Sequence, residues 1–350
     1  MDKFWKEISS PFGLIWVAVN EANFLTNLSF VLPEGAKEGQ MPLHAVAKQQ
    51  LFEYFYGKRK DFSLPLQCSG TDFQELVWDS LKKIPYGTTV SYQDIARCIG
   101  RPSACRAVGG AVHCNPIGIV IPCHRVIGKK GTLTGYAGGI DKKRELLQIE
   151  SKERIYFPYG EKETDELVDA CPDFSELVKK RGHIYRPLLP DVFTALVNNI
   201  VGQQISMKAL STVWDRLIKK TVITPEALIS MTDSSYSKIG ISGRKASYIR
   251  TLSEQVQNHA IDLDGLKLEP DDRVSETLCS IKGIGEWTAE MVMIFAMARP
   301  DVFSSKDLGL NRAVAKIMNR EHVTEQDMKD FGRYVSPLGT VASFYLWEMN

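Results

Sequence analysis

Alternation of apolar and polar residues is confined to the beginning of this 350-residue chain. The stretch "GLIWVAVNEANFLTNLSF", which follows the turn signal "SSPFG", predicts two or three strands of a small sheet within residues 1–35. From about residue 165 onward, helical periodicity alternates with short turns, and no strand pattern stands out. We therefore predict a multidomain α+β protein whose C-terminal part is entirely α-helical.

A shift in composition marks the expected domain boundary. The stretch "ESKERIYFPYGEKETDE" is charged and rich in turn residues, and it precedes the helical region. The chain is long enough for two or three domains. We predict one domain over residues 1–150, a linker over 151–164 and a second domain over 165–350.

Cysteine content, apolar runs and charge exclude several classes of protein. The seven cysteines include no C-x-x-C pair, which argues against a disulfide framework, a cysteine-rich metal site and an iron–sulfur cluster. No apolar run approaches the roughly 18–20 residues of a membrane span, and the start "MDKFWKEISS" is too polar for a signal peptide. Residues 1–150 carry 18 basic and 14 acidic side chains, and the remainder carries 25 and 28. Because these charges nearly balance, any DNA binding must depend on a local basic patch. We expect a cytoplasmic protein without a resident metal or cofactor.

Residues 91–115 have the length of a helix-turn-helix. "SYQDIARCIG" and "ACRAVGGAVHCN" predict two short helices around "RPS". Small residues at 107 and 109–111 leave the second helix nearly bare, although each internal glycine costs about 0.5–1 kcal/mol relative to alanine. The bare face allows close approach either to a neighbouring helix or to a DNA groove. Arg106 stands beside it and is suited to insertion into a duplex in place of a displaced base.

One cysteine has a histidine directly after it. Cys123 ends the apolar run of "HCNPIGIVIPCHRVIG", which spans residues 113–128. A free thiol is mostly protonated at neutral pH and needs a base to become a nucleophile. His124 is adjacent, and the helical stretch "KKRELLQIE" supplies Glu145 as the third member of a Cys–His–Glu relay. A buried cysteine that only packs is the alternative on this motif alone.

These motifs, together with "IPYGTTVSYQDIA" and "GYAGG", resemble the O6-alkylguanine-DNA alkyltransferases over roughly residues 1–150. The resemblance implies a small β-sheet subdomain followed by a helix-turn-helix subdomain. It implies that Cys123 is the alkyl acceptor and that His124 and Glu145 activate it. Asn115, in the turn before the active-site segment, is implied to hold that segment in place.

The same resemblance implies a set of contacts to DNA and substrate. Arg106 fills the gap left by the flipped base, and Tyr92 crowds the target phosphate. Tyr136 lines the lid of the pocket, and the Val126 backbone contacts the guanine. Arg125 is included in the same binding set.

A glycine-rich turn lies between two helical runs in the second half. In "LCSIKGIGEWTAEMVMIFAM", Gly283 and Gly285 can expose backbone N–H groups to a phosphate, as in a helix-hairpin-helix. Most such turns only cap helices. About twenty residues later, Asp307 opens an amphipathic helix in "VFSSKDLGLNRAVAKIM". It is either an N-cap or a carboxylate that stabilises positive charge on a sugar as a base departs.

The set "ALVNNIVGQQISMKAL", "IKGIGEWTAEMV", "DVFSSKDLGL" and "TVASFYLW" resembles the helix-hairpin-helix DNA glycosylases of the 3-methyladenine DNA glycosylase II type. The resemblance covers roughly residues 165–350 and implies an all-α domain. It implies a catalytic Asp307, a DNA backbone held by Gly283 and Gly285, and Trp287 at the base pocket. The hairpin carbonyls are implied to be able to hold a monovalent cation. Trp287 stands where glycosylase/lyases carry a lysine, so a monofunctional enzyme is expected.

Other residues of the second half remain open between two roles. Trp214, Tyr185 and Tyr236 are further candidates for the wall of the base pocket, although core packing is the simpler account of each of them. Gln203 and Gln204 are candidates to cap or brace the DNA-facing loop.

Both halves predict repair of alkylated DNA by different chemistry. We expect irreversible alkyl transfer to Cys123 and hydrolytic release of N-alkylated bases such as 3-methyladenine with Asp307. The expected partner is double-stranded DNA carrying alkylated bases. We expect a monomer located at the nucleoid, with no membrane association. The alternatives are a methyl-responsive regulator that uses Cys123 as a sensor and a lesion-binding module without activity.

Overall fold

The computed structural model describes residues 2–129 and 131–349, and Met1, Lys130 and Asn350 lie outside the described residues. Contacts divide the chain into two compact units. Unit 1 comprises Met1–Tyr156 with His183–Tyr185, and unit 2 comprises Phe157–Gly182 with Arg186–Asn350. Within the described residues, none of the helices has the length and apolar character needed to span a bilayer.

Unit 1 contains both strands and helices. Its strands are β1 (Lys3–Ser10), β2 (Gly13–Asn20), β3 (Leu25–Ser29), β4 (Lys37–Glu38), β5 (Val90–Ser91), β6 (Val126–Ile127) and β7 (Ile155–Tyr156). Its helices are α1 (Pro42–Phe55), α2 (Asp72–Leu81), α3 (Tyr92–Cys98), α4 (Cys105–His113) and α5 (Ile140–Glu150).

The four-stranded sheet has the order β3-β2-β1-β4. Strands β1 and β2 form an antiparallel hairpin, and β2 pairs antiparallel with β3 through a register shift at Ala18 and Val19. The strand β4 adds to β1 in parallel. The inner residues of β2 are fully buried and belong to the same core as α1. The prediction of a small N-terminal sheet is confirmed.

The helix-turn-helix is built from locally encoded helix ends. Ser91 caps α3 by accepting from the Asp94 N–H, and Gly100 has a positive φ of 70° in the turn. The indole N–H of Trp78, on α2, donates to the Ala111 carbonyl at 2.9 Å and fixes α4. The predicted helix pair is therefore present.

The active-site segment crosses from the sheet to the helices. Leu28 of β3 donates its N–H to the Pro116 carbonyl and accepts from Gly118, which ties the segment to the sheet. The chain then makes one 3₁₀ turn at Cys123–Arg125 and enters β6, which pairs in parallel with β5. Cys123 therefore lies on a turn that is held from both ends.

Among its described residues, unit 2 is helical apart from turns and the two-residue strand β8 (Pro187–Leu188). Its helices are α6 (Glu161–Ala170), α7 (Ser175–Arg181), α8 (Val192–Gly202), α9 (Met207–Lys220), α10 (Pro225–Ile229), α11 (Asp233–Ile239), α12 (Gly243–Gln257), α13 (Asp271–Ser280), α14 (Glu286–Phe295), α15 (Leu308–Ile317), α16 (Glu325–Val335) and α17 (Gly339–Trp347). The two helices of the predicted hairpin are α13 and α14.

The segment predicted as a linker, residues 151–164, is packed into the fold. Tyr156, Phe157 and Tyr159 are buried, and α6 already begins at Glu161. The Phe157 ring lies edge-on to Phe344, with centroids 5.0 Å apart. The charged residues around these aromatic side chains concealed their burial in the sequence.

Candidate active sites

Cys123 is buried in unit 1, with 7% of its surface exposed. Burial raises the pKa of its thiol, because a thiolate loses hydration there. A hydrogen bond from the Asn115 side chain, the charge of Lys143 and two backbone N–H groups oppose that rise. The thiol is therefore protonated at neutral pH and needs a base to react.

Asn115 holds the segment that leads to the cysteine. Its Nδ2 donates to the Ile121 carbonyl at 2.8 Å, and its Oδ1 accepts from the Ile117 N–H at 3.1 Å. The side chain thus bridges the two ends of the apolar run, which is the role that the resemblance implies.

His124 is fully buried beside the cysteine. Its Nε2 lies 2.9 Å from Oε1 of Glu150. A carboxylate can only accept, so Nε2 carries the proton and Nδ1 has the free lone pair. Nδ1 is buried and has no hydrogen-bond partner among the described residues. Burial lowers the pKa of His124 despite the attraction of Glu150, so the imidazole is a neutral base.

Glu150 anchors this base. Its carboxylate accepts from His124 and from Nε and a terminal NH₂ group of Arg125, and also from the Tyr54 hydroxyl and the Gly87 N–H. Burial alone favours the neutral acid, but the hydrogen bonds and charges of His124 and Arg125 outweigh it and lower the pKa of Glu150 to about 2. The permanently charged guanidinium of Arg125 is sufficient to keep Glu150 ionised while His124 is neutral.

The prediction of Glu145 as the third member of the relay is wrong in geometry. Glu145 is half-buried and lies 3.6 Å from the guanidinium of Arg154. Glu150 is five positions after Glu145, so its side chain is rotated by about 140° around the helix axis relative to that of Glu145. Lys143, Leu146 and Glu150 share the buried face of α5. That spacing of three and four residues was the available signal for Glu150.

The assignment of Arg125 to the DNA-binding set is also corrected. The side chain is buried, and its guanidinium donates to Glu150 and to the Ile84 carbonyl. With its donors committed inside the protein, Arg125 positions Glu150 and is not available to a phosphate.

Lys143 is a site residue that sequence reasoning missed. It is fully buried, and its Nζ donates to the carbonyls of Val126, Thr134 and Gly135 at 2.6, 2.9 and 3.3 Å. Burial lowers the pKa of Lys143 to about 8, although the neighbouring Cys123 opposes the shift. Lys143 thus joins the turn after Cys123 to the 134–136 loop and places a positive charge near the thiol. The second lone pair of the Val126 carbonyl remains for a further donor.

The loop after residue 130 carries Tyr136 toward the cysteine. Burial raises the pKa of Tyr136 well above its ordinary value, and the charge of a Cys123 thiolate would add to that rise, so the phenol keeps its proton. Its ring also packs edge-on against Phe30, with centroids 6.4 Å apart.

The bare face of α4 is only partly covered by neighbouring helices, because Ala111 is buried and its carbonyl accepts from Trp78 of α2. Arg106, Ala107 and Gly110 are exposed, and a Cβ added at Gly110 would meet no atom within 4 Å. A Cβ at Gly109 would lie 3.9 Å from the Tyr92 ring. The Tyr92 hydroxyl donates to the Thr134 carbonyl at 3.2 Å. Ala107 and Gly110 therefore leave backbone open to an external surface, whereas Gly109 and Ala111 face neighbouring helices.

The two glutamates of α5 provide a matched test. Glu150→Gln is expected to slow alkyl transfer about 10²-fold or more. Glutamine lacks the negative charge with which Glu150 pairs with Arg125 and stabilises a protonated His124. Glu145→Gln should leave the rate within about twofold. Single-turnover mass spectrometry of both variants checks the expectation. Equal rates for the two variants would contradict the relay.

The carboxylate of Asp307, in unit 2, accepts hydrogen bonds from three N–H groups. It is 9% exposed and caps α15, with Oδ1 accepting from the Leu310 N–H at 2.8 Å. The indole N–H of Trp287 donates to Oδ2 at 2.8 Å, and that of Trp347 donates to Oδ1 at 3.0 Å. The side chain is thus an N-cap and the acceptor for two indoles, so capping alone does not account for its surroundings.

Trp287 and Trp347 flank this carboxylate. Trp287 lies at the start of α14 and is 42% exposed, so its ring is available to stack with an external group. Trp347 was not recognised as a site residue from the sequence. The signal available was its indole N–H at the end of an otherwise buried helix, because such a donor needs a partner.

The turn between α13 and α14 requires glycine. Gly283 has a φ of 92°, and a Cβ there would lie 2.3 Å from the Tyr248 ring. Gly285 is exposed, and a Cβ there would meet no atom within 4 Å. The Gln203 amide donates to the Gly283 carbonyl at 2.8 Å, so Gln203 braces the hairpin. Gln204 is exposed with a φ of 57°.

The further aromatic candidates are not all alike. Tyr236 is fully buried and donates to the Leu228 carbonyl, so it belongs to the core. Tyr185 packs within unit 1, against Phe55 and Tyr156. Within the part of the chain that the structure describes, Trp214 forms no hydrogen bond with Asp307.

Three family models match successive parts of the chain. Residues 3–68 match the ribonuclease-like domain of 6-O-methylguanine DNA methyltransferase, and residues 72–152 match its DNA-binding domain. Residues 197–336 match the HhH-GPD superfamily of base excision DNA repair proteins.

Individual proteins resemble each part separately. A methylated-DNA–protein-cysteine methyltransferase of Methanosarcina barkeri is 47% identical over 155 residues, which cover 42% of this chain and 96% of the relative. The structure of a DNA-3-methyladenine glycosidase from Bacillus halodurans is 32% identical, with a TM-score of 0.50, and the match covers 55% of this chain and 91% of that one. A 3-methyladenine DNA glycosylase of Schizosaccharomyces pombe, solved with abasic DNA, is 25% identical with a TM-score of 0.50, covering 53% and 95%. The chain therefore belongs to the methylated-DNA–protein-cysteine methyltransferase family in its first part and to the helix-hairpin-helix base excision repair glycosylases in its second.

Proposed function

We propose that this chain repairs alkylated DNA by two separate reactions. Unit 1 moves an alkyl group from the O6 atom of guanine to Cys123, and unit 2 hydrolyses the bond between an N-alkylated base and its sugar with the help of Asp307. The observation that carries the proposal is that each unit surrounds one reactive side chain with groups that suit its chemistry. Nothing in the comparisons favours the regulatory or lesion-binding alternative.

The transfer reaction uses the unpaired nitrogen of His124. Nδ1 accepts the proton of the Cys123 thiol, and Glu150 stabilises the imidazolium that forms. The thiolate attacks the alkyl carbon, the carbon–oxygen bond breaks, and its electron pair stays on the guanine oxygen. The proton taken by His124 balances that charge. A thioether does not revert, so each chain transfers one alkyl group.

The exposed face of α4 supports DNA binding by unit 1. Arg106 is exposed there, and it has no hydrogen-bond or ion-pair partner among the described residues. Its neighbours Ala107 and Gly110 are small enough for a groove wall to approach the backbone. Arg106 is thus free to occupy the space of a flipped base.

Arg106→Ala is expected to slow transfer from duplex DNA at least about tenfold more than transfer from the free base O6-methylguanine, because unstacking costs a few kcal/mol only in the duplex. Rates on both substrates, each measured from the gain of mass, check this. Arg101→Ala on the preceding turn is the control. Equal losses on both substrates would mean that Arg106 only supports the fold.

The hydrolytic reaction uses the carboxylate of Asp307. As the bond from sugar to base breaks, positive charge develops on the sugar, and a nearby carboxylate stabilises it. Trp287 offers an exposed ring for stacking with an electron-poor base. An alkylated, positively charged base is already a good leaving group, so water completes the reaction without a strong general acid.

Lys306 is not suited to act as the nucleophilic lysine of a glycosylase/lyase. It is next to Asp307, but it forms an ion pair with Glu286. The hydrogen bond and charge of Glu286 raise the pKa of Lys306, so the amine stays protonated and is not a nucleophile. The product is expected to be an intact abasic strand.

The test uses two duplexes of identical sequence, one with O6-methylguanine and one with 3-methyladenine. The first should add the mass of one methylene group to the protein without releasing a base. The second should release free 3-methyladenine, leave the protein mass unchanged, and yield no covalent complex on borohydride treatment. Absence of either product would overturn the corresponding half of the proposal.

Further parts of the proposal concern the state of the protein. It acts as a monomer at the nucleoid, on double-stranded DNA with alkylated bases, and uses no organic cofactor. A monovalent cation at the hairpin carbonyls stays a prediction. The Gly283 carbonyl already accepts from Gln203, which leaves it one lone pair for such an ion.

A further inference from the structure

A second carboxyl group, that of Glu290, accepts a hydrogen bond from the loop that carries Asp307, and its role rests on the proposed glycosylase function. We infer that Glu290 is a positioning residue that holds the Asp307 loop against α14 and that it does so as a neutral carboxylic acid. None of the mechanistic steps above uses this residue.

Two contacts fasten the loop to the helix. On α14, Trp287 and Glu290 are three residues apart and so lie on the same face. On the loop, Ser304 and Asp307 are also three residues apart. The Ser304 hydroxyl donates to Oε2 of Glu290, and the Trp287 indole donates to Oδ2 of Asp307 at 2.8 Å. Glu290 therefore anchors the beginning of the segment whose end carries the catalytic carboxylate.

The charged groups around Glu290 are mostly negative. Glu286 on the same helix and Asp307 on the loop both oppose its ionisation, and Lys306 favours it. Lys306 is committed to an ion pair with Glu286. No cation among the described residues forms an ion pair with Glu290 in this structure.

Burial is the main reason that Glu290 resists ionisation. The half-buried position raises its pKa to about 7, with the charges of Glu286 and Asp307 contributing and the Ser304 hydrogen bond opposing. Asp307 differs in its surroundings, since it accepts three N–H donors. Glu290 accepts from the Ser304 hydroxyl, so the two carboxyl groups have different environments and can take different roles.

Ionisation of Glu290 has a direct mechanical consequence. A charged Glu290 repels Asp307 and pushes the loop away from α14. The hydrogen bonds from Ser304 to Glu290 and from Trp287 to Asp307 oppose this movement. The carboxylate then loses its position beneath the sugar, and base release slows. Because ionisation follows a pKa of about 7, release should fall as the pH rises through neutrality.

The experiment follows single-turnover release of 3-methyladenine from methylated duplex DNA by the full chain at about pH 5.5–8.5. If release follows the protonated fraction, the wild-type rate at pH 8 should be about one tenth of its acid plateau. Glu290→Gln keeps the shape and the hydrogen-bond acceptor but cannot ionise. It should hold its rate within about twofold across the range. Glu290→Ala should lose activity at every pH, because the anchor for Ser304 is gone.

Glu286→Gln is the matched control on the same helix. Removal of this exposed carboxylate should leave the pH dependence in place, with the inflection shifted slightly to lower pH, because one like charge near Glu290 is lost. A Glu290→Gln profile that superimposes on the wild-type profile would overturn the inference, as would full activity of Glu290→Ala.

A readout without activity separates this inference from the proposed function. A carboxyl group whose pKa is raised by folding stabilises the protein at acid pH and loses that contribution as the pH rises to its folded pKa. The Tm of the wild type relative to Glu290→Gln should therefore fall between about pH 4.5 and 7. Wild type that releases no base at any pH would refute the glycosylase function. A Tm difference independent of pH would refute a neutral Glu290.

Discussion

Asp307→Asn is expected to reduce the release of 3-methyladenine by at least about a hundredfold, because the charge that stabilises the cationic sugar is removed. The expected cost in stability is small. Asparagine caps a helix about as well as aspartate, so the contact with the Leu310 N–H is retained. Single-turnover base release and the Tm of the same variant measure the two effects.

The loss of stability in Asp307→Asn depends on the hydrogen bonds from the indoles of Trp287 and Trp347. With its oxygen directed to Leu310 and Trp347, the new amide presents an NH₂ group to the Trp287 N–H, and two donors cannot pair. A buried unpaired donor costs about 1–3 kcal/mol, and the low end applies because Trp287 is partly exposed and can bond to water. The Tm should fall by about 2–4 °C for each kcal/mol lost.

A matched control isolates catalysis from capping. Asp191 caps α8 by accepting from the Thr194 N–H, and it is exposed. Asp191→Asn makes the same substitution at a helix start in the same unit, and it should change neither base release nor methyl transfer. Normal excision by Asp307→Asn would mean that Asp307 is only a helix cap.

The elements of both units could be predicted because their signals are local. Thr71 and Ser91 cap helices α2 and α3, and Gly57 and Gly100 follow helix ends with positive φ. Each of these features depends on a few neighbouring residues, as do strand alternation and helical periodicity. The burial of Tyr156, Phe157 and Tyr159 depends on distant packing, so the sequence around them did not indicate it.

The identity of the activating carboxylate depends on which face of α5 is buried. Motif order alone offers Glu145 and Glu150 as equivalent partners for His124. Helical spacing from Lys143 and Leu146 distinguishes the two glutamates. That spacing places two charged residues, Lys143 and Glu150, on a buried helix face, which sequence patterns rarely suggest. Such residues are rare without partners, and here Arg125 and three carbonyls supply them.

Trp347 marks the limit of sequence reasoning at the second site. It is 40 residues away from Asp307 along the chain, and their hydrogen bond forms only when α17 packs beside the start of α15. The motif "TVASFYLW" indicated the family without indicating this contact. Contacts of this kind are determined by tertiary packing, whereas the capping role of Asp307 was visible from its immediate neighbours.

Cys123→Ser is expected to abolish methyl transfer while leaving the fold and base release intact. A serine hydroxyl is a far weaker nucleophile than a thiolate, and the neutral His124 is a base too weak to ionise it fully. Incubation with an O6-methylguanine duplex should therefore leave the mass of the variant unchanged. The wild type should gain one methyl group, and peptide mapping should place it on Cys123.

The control for this variant is an exposed cysteine on the same stretch of chain. Cys114 lies one residue before Asn115 and is exposed, so Cys114→Ser should transfer at the wild-type rate. Burial lowers the pKa of His124, so the base stays neutral at physiological pH, and transfer should slow on acidification when His124 takes up a proton. A label on Cys98, Cys105 or Cys114 in the wild type would show that exposure selects the acceptor. Cys123 is buried, so exposure does not explain a label on it. A label there indicates that His124 and Glu150 activate this thiol.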